Sequence, residues 1–458
     1  MPSAVAPNVA PVKVLIIGGS YGGLGAALNL LDFSKGKYSR FSGKVGNDPK
    51  AGPESRVPVQ IKIVDERDGY YHLIGSPLGL ASTPHAEKFW TKFDEIIALR
   101  DPSITVAQGS AVNINATTKT ATIFDSKSGK EYEEKYDFLV AASGLRREKQ
   151  VVPQEKTKDK YLVEAAKQIA AVGVGEGVKN GKGVVVIGGG AVGIEMASEL
   201  AVVHPTQRIT LIHSHDRLLS SEPLPIEVAN LCLTSLREQG VEVVLGQRVE
   251  SSVEVEEGKY KLRLSNGNER TAGFVIWAIS KQHPSTDYLP KEVHNSESGL
   301  VVIKDTLHFN APGPFSTNHF AIGDLVQWSG IKRCGAAMHM GFLAANNIYQ
   351  EILVSRGVKK EPTYLTYPEV PAMIALACGK QAISYSVEDG AKVGEDIMEV
   401  FFNDDLGFMI CWNYLQLGTP SAEIEKGNTE KDIQILEEQV NDLSVKEKMI
   451  AGAVISAA

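Results

Sequence analysis

The 458-residue chain has only four cysteines, Cys232, Cys334, Cys378 and Cys411, and no two of them form a C-x-x-C pair. That spacing argues against a local dithiol relay and against a zinc site, and no metal is expected. It points to a reducing, cytoplasmic setting. No stretch approaches the roughly 18 consecutive apolar residues of a membrane helix. The opening "MPSAVAPNVAPVKV" lacks the charged region and apolar core of a secretory signal, and no glycine follows Met1 for myristoylation. Basic residues are also short. Lys plus Arg number 47 against 55 Asp plus Glu, a net charge of −8, so the concentrated positive surface that nucleic acid needs is not expected.

Glycine is plentiful, and its placement is informative. "KVLIIGGSYGGLGAALNLL" runs a branched apolar strand (Val14, Leu15, Ile16, Ile17) into Gly18, Gly19, Ser20, Tyr21, Gly22 and Gly23, and then into a helical pattern. This is the strand–turn–helix logic of a dinucleotide fingerprint, G-x-G-x-x-G, with Ser20 in the middle glycine's place. A small side chain that turns aside, or donates its hydroxyl to phosphate, keeps such a site workable. The pattern returns in "KGVVVIGGGAVGIEMASEL", where Gly188, Gly190 and Gly193 supply all three glycines. One match is weak; two, each after an apolar strand and each opening a helix, predict an α/β chain that binds two dinucleotides.

The strand after each turn should end beside a ribose. The first, Val59 to Val64, closes on Asp65, an acid able to accept from both ribose hydroxyls. Asp65 lies beyond the usual spacing of about 20 residues, because a polar Gly-, Ser-, Lys- and Pro-rich insertion intervenes. The second strand closes on His213-Ser214-His215 with no acid, which admits NADPH without excluding NADH. Further on, "YDFLVAASG" ends at Gly144, and "NHFAIGDLVQW" runs into Gly323-Asp324 ahead of another helix. Near the C-terminus Ile433, Leu436, Val440 and Leu443 recur at helical spacing. The polar face of that stripe mixes acids and lysines, which favours docking on its own domain or on a second copy, a homodimer, over a membrane surface.

Taken in order, these motifs resemble the two-dinucleotide-binding flavoprotein reductases, and among them the apoptosis-inducing-factor-like proteins of the ferroptosis-suppressor branch, fungal-type members in particular. The resemblance extends with gaps from about Val12 to about Trp412 and is most specific in "VVVIGGGAVGIEMASEL", "VDERDGYYHL" and "FAIGD". It implies two nested Rossmann-like domains of glutathione-reductase-like plan with a C-terminal α+β region. The corresponding segments are an FAD-binding part (1–150), an NAD(P)H-binding domain (151–290), a second FAD-binding part (291–362) and a C-terminal region (363–458). It implies FAD and NAD(P)H as cofactors, hydride transfer through the flavin, and a quinone-like or other small-molecule acceptor.

Carried over residue by residue, Gly18, Gly19, Ser20, Gly22, Gly23 and Asp65 would hold the adenosine diphosphate of FAD. Ser143 and Gly144 match the Thr-Gly of the first crossover, and Gly323 and Asp324 match the later flavin contact. Gly188, Gly190 and Gly193 match the nicotinamide turn. Glu195 and Glu199 match acids on its helix, Glu199 being the expected catalytic one near the nicotinamide or flavin. His72, after Tyr70 and Tyr71, is the candidate proton donor to a reduced acceptor. Ile279-Ser280 departs from the Thr-Gly of the second crossover. That departure keeps two other readings in view: an oxidase acting on an organic metabolite with oxygen as acceptor, and a low-turnover redox-sensing binding protein.

Overall fold

The structure is a computed structural model that describes residues 10–421 apart from 38, 41–55, 148–149, 174–181, 280–282 and 316. Ser280, most of the polar insertion and the stripe from Ile433 to Leu443 lie outside the described residues.

The strand Val12–Ile17 is buried at every position but Lys13, as a central parallel strand must be. It sits inside a seven-stranded sheet whose order is His319–Ala321, Phe138–Ala141, Val12–Ile17, Val59–Asp65, Ile104–Asn115, Thr120–Asp125, Lys130–Lys135. The first five strands are parallel and the last two form an antiparallel extension. Ile104–Asn115 joins the parts because its first half pairs with Val59–Asp65 and its second half with Thr120–Asp125. The second unit repeats the plan at smaller scale. Glu242–Val244, Ile209–Ile212, Val184–Ile187 and Phe274–Trp277 make a parallel sheet, followed by an antiparallel three-stranded sheet spanning Val249–Ala272. The return strand His319–Ala321 closes the first sheet after the second has been completed, so the second unit is inserted in the first.

Helix α1 (Tyr21–Ser34) is buried over its whole length, which explains its apolar surround. It carries only two ionisable or amide side chains between Leu28 and Phe33, and both are paired: Asn29 Oδ1 accepts from Ser39, and Asp32 accepts from Arg40 Nε at 2.7 Å. Helix α2 (Ala191–Val203) opens the second unit, and α3 (Cys334–Ser355) crosses α1. That crossing is close because a Cβ on Gly341 would lie 2.4 Å from the Gly22 carbonyl oxygen. The C-terminal antiparallel strands Ile374–Cys378, Gln381–Ser386 and Gly390–Gly394 lean on the second unit. There Ser198 meets Cys378 Sγ at 3.2 Å and Gln239 Nε2 donates to the Cys378 carbonyl at 2.9 Å. The short helix α4 (Phe408–Tyr414) leans instead on the first unit, its Phe408 ring edge-on to His72. The C-terminal region therefore covers the seam between the two units. Among the described residues no helix is long and apolar enough to cross a membrane.

Candidate active site

The two glycine turns are built alike. Gly18 has φ +109° and Gly188 φ +118°, and a Cβ would lie 2.3 Å from the Ala142 oxygen in one and 2.4 Å from the Ala278 oxygen in the other. A Cβ on Gly23 would lie 1.8 Å from the Gly18 oxygen, and one on Gly193 1.9 Å from the Gly188 oxygen. These four positions admit nothing but glycine, because the neighbour in each case is backbone. The middle positions differ. Gly190 has no heavy atom within 4 Å of its Cβ site. Ser20 occupies the matching place as N-cap of α1, at φ −105° and ψ −153°, and its side chain makes no capping bond. Its backbone is ordinary for an L-residue, and its hydroxyl is left for a ligand.

The first intrahelical bonds run from Leu24 N–H to the Ser20 oxygen and from Ile194 N–H to the Gly190 oxygen. The N–H groups of the preceding three residues in each helix have no helical acceptor and point, with the helix dipole, at the open turn. A pyrophosphate fits this pair of cradles. At the first, Asp65 closes the adjoining strand, where Oδ2 accepts Gly19 N–H at 2.6 Å and Oδ1 accepts Arg67 N–H at 2.7 Å. Burial pushes its carboxyl up, against the pull of Arg67 and those two N–H groups.

A single cavity of about 1770 Å³ reaches both turns. Of the residues expected from sequence, Gly18, Ser20, Gly22, Asp65, Ser143, Gly144, Gly190, Glu195, Gly323 and Asp324 line it. Gly19, Gly23, Gly188 and Gly193 stand behind the lining, shaping the turns. The crossovers lie side by side beneath it. Leu145–Arg146 pairs with His283–Pro284, and Ser143 Oγ donates to the Ser285 oxygen at 2.7 Å while meeting Tyr288 Oη at 3.0 Å. Asp324 is held by Arg147, Nη2 to Oδ2 at 3.3 Å.

Two expectations require correction. His72 does not line the cavity. It is fully buried, its Nδ1 faces Tyr21 Oη at 3.1 Å, and its Nε2–H donates to the Leu406 oxygen at 2.9 Å. Burial lowers its pKa to about 4, so at neutral pH it is an uncharged packing group with both nitrogens engaged. Glu199 is likewise one turn too deep. It is buried behind the wall, where no partner meets its Oε1, and burial raises its pKa to about 8. Glu195 is the acid that reaches the cavity. Its Oε1 accepts Ala377 N–H at 3.3 Å, and burial raises its pKa to about 8, with Glu199 adding to the shift.

Sequence reasoning also passed over groups that fold into the same wall. Arg147 and Lys332 line the cavity near Asp324; the run "GLRREK" directly after the crossover was the available signal for the first. Cys334 and Cys411 share that wall although they are far apart in sequence. A hydrogen bond from the Cys411 thiol lowers the pKa of Cys334, at the start of α3, and raises that of Cys411. The absence of C-x-x-C excluded only a local pair. Among the described residues no group of three His, Cys, Asp or Glu side chains is placed to hold a metal ion.

Comparison with known proteins agrees with this geometry. Residues 12–341 match the family described as pyridine nucleotide-disulphide oxidoreductase. The chain is 49% identical to oxidoreductase OXR1 of Ajellomyces capsulatus over 417 residues, covering 89% of this chain and 88% of that one. It is 22% identical to human ferroptosis suppressor protein 1, covering 92% of this chain and all of the other. Among solved structures, the sulfide:quinone oxidoreductase of Aquifex aeolicus shares the fold at a TM-score of 0.62 and 17% identity, over 95% and 96% of the two chains. The chain belongs to the pyridine nucleotide-disulphide oxidoreductase family, as an AIF-like FAD-dependent oxidoreductase that uses NAD(P)H.

Proposed function

We infer that this oxidoreductase passes the reducing equivalents of NAD(P)H to a quinone-like small molecule. The observation that carries the reading is the single cavity touching both glycine turns, because one relay must serve both nucleotides. When bound, FAD supplies the two-electron relay between the reduced nicotinamide and the acceptor. The chain's own residues do the rest. The N–H groups at the start of α1, Ser20 and Asp65 bind the adenosine diphosphate, and Ser143, Gly144, Gly323 and Asp324 orient the remainder of the flavin nucleotide. Gly188, Gly190 and Gly193 shape the nicotinamide site, and Glu195 holds a proton at the seam at neutral pH. The division into 1–150, 151–290, 291–362 and 363–458 follows from the same reading.

The acceptor reading draws on the arm of the cavity that the C-terminal region lines. Met373, Ile374, Leu376, Tyr385, Phe401 and Ile410 give it apolar surface for a flat ring, beside Ser384, Ser386, Glu388, Asp389 and Lys392, whose polar groups suit the oxygens of such a molecule. The Aquifex aeolicus neighbour, a sulfide:quinone oxidoreductase, lends support to that choice. The test is Ile410→Trp, which fills the arm. Reduction of a water-soluble quinone should fall about tenfold or more, a loss of roughly 1.4 kcal/mol of transition-state stabilisation, while NAD(P)H still bleaches the flavin. Unchanged quinone turnover in that variant would remove the acceptor assignment.

A further inference from the structure

Two buried charges stand outside the cavity and yet reach one of its walls. The side chains of Arg40 and Asp32 are 1% and 0% exposed, and Arg40 Nε donates to Asp32 Oδ2 at 2.7 Å. Burial opposes both charges, raising the pKa of the carboxyl and lowering that of the guanidinium. Such a pair is often no more stabilising than apolar residues of the same volume, and its best-attested use is to fix one register of packing. Neither residue lines the cavity. Their remaining contacts show what the pair fixes.

The guanidinium fork spans two elements. Nε and Nη2 face Asp32 on α1, while Nη1 donates to the Leu415 oxygen at 3.4 Å and to the Gln416 oxygen at 3.2 Å, just past the end of α4. Gln416 Nε2 returns a bond to the Arg40 oxygen at 3.1 Å, and Ser421 Oγ donates to Asp32 Oδ1 at 3.0 Å. Gln416 has φ +49°, a left-handed conformation that a non-glycine residue keeps only where its surroundings hold it. The other end of α4 is tied as well. Lys88 Nζ donates to Asp405 Oδ2 at 2.7 Å, next to the Leu406 oxygen that His72 holds. Between the two ties α4 turns Ile410, Cys411 and Tyr414 to the cavity. A shift of its C-terminal end moves that wall.

We propose that Arg40, held by Asp32, is a positioning residue for the acceptor: its grip on the Leu415 and Gln416 carbonyls sets the place of α4 and with it the width of the acceptor arm. The proposal rests on the reading of that arm as the acceptor site. It is tested in the full-length, FAD-loaded protein with Arg40→Lys and Gln416→Ala. Lysine keeps a charge beside Asp32 but has no planar fork to reach both partners at once. Gln416→Ala leaves the ion pair in place and carries the same test if Arg40→Lys does not retain flavin. Amide hydrogen exchange across residues 408–417 should quicken in both, by about tenfold in Arg40→Lys, the scale of one lost charge-assisted hydrogen bond, with exchange in α1 unchanged. KM for a water-soluble quinone should rise alongside it, while NAD(P)H reduces the flavin at the wild-type rate, a split that a general loss of stability does not produce. Wild-type exchange and wild-type KM in the flavin-containing variants overturn the positioning role, and the acceptor reading survives if Ile410→Trp still blocks quinone turnover. Faster exchange with an unchanged KM overturns the acceptor reading of the arm, and the proposal with it.

Discussion

Replacing Gly23 by alanine should damage the protein through its fold, while replacing Ser20 by glycine should leave it nearly unchanged. The added Cβ at position 23 would sit 1.8 Å from the Gly18 oxygen and 2.9 Å from its carbonyl carbon. Ordinary contacts begin beyond 3 Å, so helix and turn must separate by more than 1 Å, and both partners are backbone with no rotamer to yield. Overpacking of this kind costs about 1–3 kcal/mol, and the upper end applies here. A shift of that size lowers Tm by roughly 2–4 °C per kcal/mol in a domain this large. Ser20 is at ordinary φ and ψ and makes no capping bond, so Ser20→Gly should change stability by only a few tenths, about 0.3 kcal/mol. Chemical denaturation at saturating FAD, with retained flavin measured after gel filtration, separates the two. Wild-type stability and flavin content in Gly23→Ala would refute the close-approach argument. A loss in Ser20→Gly equal to that in Gly23→Ala would refute the claim that the serine is an accommodated variant.

Other outcomes follow from the buried ionisable groups. His72, His308 and His319 are buried with pKa values lowered to about 4. Their contribution is present above about pH 6.5 and lost as pH falls toward 4, each adding up to about 1.4 kcal/mol per pH unit to the slope; His319→Gln should show a shallower acid limb in pH-dependent denaturation, and an identical limb would contradict the assignment. Glu199 has the opposite sign, because its raised pKa means stability is lost as pH climbs from the ordinary carboxylate range to about 8. The stability advantage of Glu199→Gln over wild type should therefore grow from pH 5 to pH 8, and a constant difference would place that carboxyl in a more hydrated setting. Cys334 is the thiol whose pKa is lowered and which is not fully buried, whereas burial raises those of Cys232 and Cys378. Iodoacetamide applied to the FAD-free chain should label Cys334 first by mass spectrometry; earlier labelling of Cys232 or Cys378 would contradict this.

What was legible in the sequence was local. A run such as Val184–Ile187 followed by Gly188, Gly190 and Gly193 specifies a buried parallel strand, a tight turn and a helix within twenty residues, and each feature depends on near neighbours. The place of Asp65 beside the first turn was legible because a charged residue marks the end of the apolar run Val59–Asp65. What the sequence could not show depends on distant partners. His72 looked like a wall residue beside two tyrosines, but Phe89 and Phe408 close over it and the Leu406 carbonyl accepts a hydrogen bond from its Nε2–H. Glu195 and Glu199 share a helix face, and only the strand Ile374–Cys378 packed beside them decides which one meets the cavity. The cysteine pair at Cys334 and Cys411 and the Arg147–Asp324 contact join segments whose spacing carries no signal.

The most direct test is the visible spectrum of the purified protein before and after anaerobic addition of NADPH, then of NADH. The account predicts an oxidised flavin band that bleaches on addition of a reduced nicotinamide nucleotide. A bound flavin that stays oxidised with both nucleotides, or a protein that retains no flavin, would contradict it.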